Sequence, residues 1–312
     1  MSGKIRDEVH LLESIKRRPR NRDVVVGIDD DVAVVRSSRK SEFHVYTTDI
    51  LIEDVHFSRK YFTPEQIGMK AIEVNVSDIA AIGGTPEYCL VSIGLPEVGL
   101  DYVKSIYKGM GLACRRHGID IIGGDTSKSE KLIINVAMTG SVKKKDISLR
   151  STARSGDLIC VTGHLGESEA GRLCINRKIK SSLVRRHLEP RARLDLSRKI
   201  APFATSMIDL SDGLATDLRH ICRLSKKGCR IYHSFVPVSG ELIRVSGKMG
   251  LDPYKLALYG GEDYELLFTI PRKNLGKIRC RYFIVGVITS GGCVLSYNNK
   301  IMEFGRGYDH FR

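Results

Sequence analysis

At six separated places in this chain, aspartates follow or adjoin a predicted strand end. The Val24-Val25-Val26 run leads into Gly27-Ile28-Asp29-Asp30-Asp31. Residues 43–46, aromatic and β-branched as strands are, lead into Thr47-Thr48-Asp49-Ile50-Leu51-Ile52-Glu53-Asp54-Val55-His56-Phe57. Asp120-Ile121-Ile122 precedes Gly123-Gly124-Asp125-Thr126-Ser127, which reads as a turn whose glycines let backbone N–H groups approach an anion. Met207-Ile208 runs into Asp209-Leu210-Ser211-Asp212-Gly213, and Gly260-Gly261-Glu262-Asp263-Tyr264 precedes a strand at 266–270. Each stretch alone reads as a solvated turn, and Asp212 alone as the N-cap of the helix at 214–224. Together they lack the mixture of Lys, Asn and Ser that solvated turns carry. Carboxylates at strand ends are costly to bury unless cations reach them. Hard oxygen donors in this number suit a site for more than one Mg²⁺, able to neutralise and bridge nucleotide phosphates.

The remaining pattern predicts a mixed α/β (α+β) chain in two halves, 1–145 and 146–312, joined through a basic, small-residue stretch at 143–157. A short amphipathic helix is expected over 7–17. Pro64 starts a second helix, which stops at Gly83-Gly84. Asn75, Ser77 and Asp78 interrupt its apolar second half, and a buried Asp78 needs a metal or a basic neighbour. Strands are expected at 32–35, 88–95, 132–142, 158–162, 282–288 and 293–297. Helices are expected at 100–117, from 167, at 182–187 and at 191–200. Gly291-Gly292 reads as a hairpin turn.

At 312 residues the chain can bury two cores. No apolar run approaches the ~20 residues of a membrane span, and the charged residues 1–22 lack a secretory apolar centre; a cytoplasmic protein without membrane contact is expected. Eight cysteines occur without a C-x-x-C pair or histidines at zinc spacing, so they read as reduced core thiols without structural zinc. The net charge of +14 is dispersed, and no helix-turn-helix, zinc finger or aromatic RNA-binding strand accompanies it. A basic surface around a phosphate site serves equally to attract polyanions, so no nucleic-acid partner is expected. P-loop, protein-kinase, Rossmann and Gly-x-Ser-x-Gly signatures are absent.

Seven of these motifs occur in the order in which the thiamine-monophosphate kinase family carries them. They are Gly27 to Asp31, the Thr47–Phe57 stretch, Val74-Asn75-Val76-Ser77-Asp78-Ile79-Ala80-Ala81, Gly123-Gly124-Asp125-Thr126, Ile208 to Gly213, Gly260 to Glu265, and the terminal Gly307-Tyr308-Asp309-His310-Phe311. The chain closely resembles that family from about residue 20 to 311. The resemblance implies an aminoimidazole-ribonucleotide synthetase-like fold, with an N-terminal sheet domain that binds ATP and Mg²⁺ and pairs into a homodimer, and a C-terminal α/β domain that completes the active site. It implies transfer of the ATP γ-phosphoryl group to thiamine monophosphate; the acceptor phosphate, with a second pKa of about 6, is mostly ionised near pH 7 and requires no general base. By the same resemblance Asp31, Thr47, Thr48, Asp49, Asp78, Asp125, Asp209 and Asp212 would hold Mg²⁺. Gly124, Asp125, Arg150 and Ser211 would touch ATP, and His56, Glu262 and Tyr308 would face thiamine monophosphate. The family usually has glycine where Asp29 stands, which leaves Asp30 and Asp31 as alternative ligands. Another superfamily enzyme is the nearest competing reading. A selenophosphate synthetase would want an early reactive cysteine, and the first cysteine here is Cys89. A basic nucleic-acid-binding protein with a vestigial nucleotide site is the other, and it would bind DNA or RNA without turning over ATP.

Overall fold

The computed structural model describes residues 7–17, 19–298, 300–303 and 305. Strands β1 (Val24–Val26), β2 (Ala33–Arg36), β3 (Glu42–Ile52), β4 (Thr85–Leu95), β5 (Asp120–Lys128) and β6 (Ile133–Lys143) form a six-stranded sheet in the order β1-β2-β3-β6-β4-β5. A seven-stranded sheet follows, built from β7 (Leu158–Val161), β8 (Ser206–Asp209), β9 (Gly228–Tyr232), β10 (Leu266–Ile270), β11 (Phe283–Thr289), β12 (Cys293–Tyr297) and β13 (Lys300–Glu303). Its order is β13-β12-β9-β11-β7-β10-β8.

Between the sheets lies α2 (Pro64–Ala81), the element that positions the site. Thr63 and Gln66 form a capping box at its start, and Pro64 supplies a preset φ at the first turn. The helix is buried almost all round. It packs on β3 and β6 on one side, and on β8 and α6 (Leu194–Ile200) on the other. One apolar cluster therefore runs from Val136 and Met138 of the first sheet, through Ile67, Ile72 and Ile79, to Met207 and Phe268 of the second. α3 (Leu100–His117) lies along α2 and ends in a left-handed Gly118, matching the expected helix. α1 (Glu8–Ile15) is capped by Asp7.

Three local expectations are corrected. Thr47, Thr48 and Asp49 do not lie on a loop past a strand end, because the β3 ladder with β6 continues unbroken from Glu42 to Ile52. Likewise Gly123 to Ser127 form no turn, since β5 pairs with β4 through to Lys128. Gly291 and Gly292 do not close a hairpin between β11 and β12: β12 pairs in parallel with β9, and the Cys229 N–H donates to the Gly292 carbonyl at 2.8 Å. Sequence patterning also missed β9, α8 (Gly240–Met249) and α9 (Pro253–Tyr259).

Candidate active site

Side chains alternate across a strand, so continuing β3 through its polar stretch sorts those residues onto two faces. Thr47 and Asp49 fall on the face toward α2, with Val45 and Leu51; Thr48 and Ile50 fall on the outer face. The Thr47 hydroxyl donates to Asp78 at 2.5 Å, and the Asp49 N–H donates to the Asn75 side chain at 3.1 Å. Next to Asp78 on α2, the Ser77 hydroxyl donates to Asp209 at 2.7 Å. The polar residues inside this buried helix thus tie it to both sheets, Asn75 and Asp78 to β3 and Ser77 to β8.

Asp31, Asp78 and Asp209, from the β1–β2 connection, α2 and the end of β8, bring carboxylate oxygens within 4.8 Å of one another. Burial, then the neighbouring Asp31 charge, pushes Asp49 up to about 6. Burial and the charges of Asp49, Asp209 and Asp31 hold Asp78 well above the ordinary carboxylate range. Asp209 is raised in the same way, by burial and by Asp31. A cluster whose members raise one another is electrostatically incomplete without added positive charge. The donors are hard oxygens at close range, which fits Mg²⁺.

The charge on hand comes from Arg150. Its Nε donates to Asp31 at 3.0 Å, a second guanidinium N–H bonds the other Asp31 oxygen, and its backbone N–H donates to Asp30 at 3.1 Å. The carbonyl of Arg150 is fixed in turn by the Ser225 hydroxyl at 2.8 Å. Asp30 is pushed up to about 7 by burial and by Asp31, but Asp31 is the one grouped with Asp78 and Asp209. Asp29 has φ 119°, a conformation that favours glycine. Its carboxylate pairs with Lys16, and with Arg223 at 3.8 Å, so the additional charge is compensated outside the cluster.

The two second-half motifs are bonded to each other. Beyond the Asp209–Leu266 pair of β8 and β10, the Leu210 N–H donates to the Glu265 carbonyl, the Tyr264 N–H to the Leu210 carbonyl, and the Glu262 N–H to the Ser211 carbonyl at 2.7 Å. Gly261 is required for this approach, since a Cβ there would sit 2.4 Å from the Ser211 carbonyl oxygen. Asp212 is not the N-cap of α7 (Leu214–Ser225): that position is Gly213. The backbone N–H groups of Asp212 and Gly213 instead donate to the buried Asp217 at 3.2 and 3.1 Å, which fixes the loop. Asp217 is itself raised by burial and by the charge of Asp212.

His56 and Glu262 meet through Lys70, a fully buried lysine of α2 that donates to the His56 carbonyl at 2.7 Å and to Glu262 at 2.5 Å. The His56 ring accepts from the Ile52 N–H at 2.9 Å, which orients the loop. His187 lies 3.3 Å from the other Glu262 oxygen. Burial of Glu262 opposes its ionisation, but Lys70 and His187 outweigh it and hold the carboxyl down at about 2. Tyr61 and Phe62 flank His187, with ring centroids 6.2 and 5.4 Å away. Lys70, Asn75, Asp217 and His187 were not singled out from sequence as site residues for these contacts; only Asn75 carried a signal, as a polar residue in an apolar helix.

Thr48 and Asp125 are not brought to the acidic cluster of the same chain. Thr48 accepts from Asn135 at 3.0 Å on the outer face of the first sheet. Asp125 pairs in register with Ser92, which pairs with Asn135, so it lies in that same outer row. Gly124 does serve a close approach, though to protein: a Cβ would sit 1.8 Å from the Val91 carbonyl oxygen of β4. Tyr308 lies outside the described residues.

Two sheets are bridged by a polar-studded helix on which carboxylates converge, and residues 29–142 match the family model described as AIR synthase related protein, N-terminal domain. The chain is 40% identical to a thiamine-monophosphate kinase of Aquifex aeolicus, over 97% of this chain and 98% of that one. Identity to the Bacillus subtilis enzyme of that name is 36%, over 86% of this chain and 85% of the other; identity to that of Escherichia coli K12 is 33%, over 93% of each. A solved structure of AaThiL complexed with AMPPCP and TMP superposes with a TM-score of 0.88 at 36% identity, covering 97% of both chains. The hydrogenase maturation protein HypE, at 22% identity and a TM-score of 0.71, shares the fold. The chain belongs to the thiamine-monophosphate kinase family.

Proposed function

We propose that the chain transfers the γ-phosphoryl group of ATP to thiamine monophosphate, giving thiamine diphosphate and ADP. The observation that carries this reading is the convergence of Asp31, Asp78 and Asp209 from three elements within 4.8 Å. The relative with AMPPCP and TMP bound, alike over nearly the whole chain, supports both substrates. Asp31, Thr47, Asp49, Asp78, Asp209 and Asp212 would hold Mg²⁺, which supplies charge neutralisation and bridging of phosphate oxygens.

The chain's own residues do the rest. Arg150, its guanidinium aimed by Asp31, offers fixed positive charge to the ATP phosphates. Gly124 and Ser211 contribute backbone to the nucleotide site. Glu262 stays ionised beside Lys70 and presents negative charge to the thiazolium ring, while His56 and Tyr61 supply the surrounding surface. The acceptor phosphate has a second pKa of about 6 and is ionised at neutral pH. No side chain need remove a proton, and a cluster of carboxylates without a nucleophile–base pair suits direct in-line transfer.

The site is completed by a second copy of the chain. Strands β6 and β4 stand between β3 and β5, which at ~4.8 Å per strand puts Asp125 about 14 Å from the Asp49 strand. The outer face that carries Asp125 and Thr48 also exposes Tyr46, Ile50, Tyr88, Leu90 and Ile122. Pairing two such faces buries the apolar surface and lets Asp125 of one copy serve the cluster of the other. An assay with ATP and either thiamine monophosphate or free thiamine tests the activity: turnover with free thiamine alone would overturn it. Among the described residues no helix is long and apolar enough to cross a membrane. A cytoplasmic setting accords with that and with the biosynthetic role.

A further inference from the structure

Outside the acidic cluster, three cysteines that sequence spacing left unconnected come together. Cys222 lies on α7, Cys229 on β9 and Cys293 on β12, and their sulfurs all lie within 4.8 Å of one another. Cys229 and Cys293 are directly paired in the parallel register of β9 and β12, and α7 packs across β9. Cys222 and Cys229 are buried, Cys293 half-buried. Bonds of about 2.3 Å from a metal to thiolate put the sulfurs of a trigonal centre about 4 Å apart, inside the 4.8 Å within which this trio already lies.

We propose that Cys222, Cys229 and Cys293 form a binding site for a thiophilic d¹⁰ cation, Cu⁺ or Zn²⁺, held by three thiolates. Soft sulfur donors select these ions over Mg²⁺, so the site is chemically separate from the hard-oxygen cluster of the active site. On binding, each thiol releases its proton to solvent. The resulting anionic centre has a countercharge in Arg219, whose field acts on Cys222 and Cys293 against the burial that disfavours their thiolates. The half-buried Cys293 gives the ion its way in. Since α7 begins immediately after the Asp209–Gly213 loop, a bound ion would tie the far part of that helix to β9 and β12.

The test uses the full chain, reduced with a phosphine under nitrogen and titrated with Co²⁺ as a spectroscopic stand-in for Zn²⁺, and separately with Cu⁺ against a chelator. Sulfur-to-cobalt charge-transfer absorption saturating at one equivalent and displaced by Zn²⁺, or retention of one Cu⁺, is expected; which of the two is tighter identifies the ion. Cys293→Ser and Cys222→Ala, each checked for folding by circular dichroism, should weaken binding at least tenfold, whereas Cys160→Ala and Asp78→Asn should leave the thiolate signal intact. The thermal midpoint should rise with Zn²⁺ in the parent chain but not in Cys293→Ser. Absence of both the charge-transfer band and Cu⁺ retention would overturn the proposal. So would binding untouched by the two cysteine variants, or loss of two thiols in air without metal uptake, which would mark a disulfide pair.

Discussion

Asp78 and Glu262 are both carboxylates in packed surroundings, and the charges around them drive them in opposite directions. Asp78 faces other carboxylates and is raised; Glu262 faces Lys70 and is lowered to about 2. Asp78→Asn keeps an oxygen to accept from Thr47 and removes one of several repelling charges. The metal-free variant should be at least as stable as the parent in a denaturant titration, while kcat falls by roughly 10²–10³, the size of losing one preorganised electrostatic contact. A purely structural Asp78 would instead lose stability and activity together. For Glu262 the folded value lies below the ordinary 4.5, so its contribution is complete above about pH 4.5 and is lost as pH falls toward 2. Glu262→Gln should flatten that acid limb of the stability profile. It should also cost about 3 kcal/mol at neutral pH, by leaving Lys70 buried without its carboxylate.

At the scale of elements, α2 explains why some of the architecture could be read from sequence and some could not. Its start was legible because Pro64 acts locally, and its stop because Gly83 takes a left-handed φ of 83°. α3 was legible for the same reason, an unbroken apolar period closed by a glycine. The polar residues on α2 advertised a site, but their partners lie in other elements: Asp49 in β3, Asp209 in β8, Glu262 after α9. The strands β3 and β5 were cut short in the reading because Thr, Asp and Gly signal turns locally, whereas hydrogen-bond ladders with β6 and β4 carry them on. Two motifs that sequence showed separately are held together by backbone bonds that no side-chain pattern reveals. Gly261→Ala tests that joint: its Cβ would meet the Ser211 carbonyl oxygen at 2.4 Å, costing about 1–3 kcal/mol in overpacking and at least a tenfold drop in kcat/KM. Gly276→Ala, with nothing within 4 Å of the added carbon, should leave activity unchanged, as a steady-state assay of the pair will show.

For the whole molecule, the proposed pairing of two outer faces, each carrying Thr48, Asp125 and the apolar residues beside them, would make association part of the chemistry. Ile122, the most exposed of these at 63%, is the place to break it. Ile122→Glu should shift the chain toward monomer in sedimentation velocity and lower turnover in step. Asp125→Asn and Asp78→Asn should each lose roughly 10²–10³ in kcat alone. Mixed and allowed to exchange subunits, they should regain activity, because each hybrid dimer then contains one site with Asp78 from one copy and Asp125 from the other. No recovery in demonstrated hybrids would place Asp125 outside the site.

The central claim is that carboxylates remote in the chain assemble divalent cations so that two phosphates can meet. Its most direct test is the rate of thiamine diphosphate formation from ATP and thiamine monophosphate as free Mg²⁺ is varied at fixed Mg·ATP. No turnover is expected in excess chelator, and the dependence on free Mg²⁺ should be steeper than first order and abolished in Asp209→Asn. Full turnover without free divalent cation, or a rate indifferent to Asp209→Asn, would contradict it.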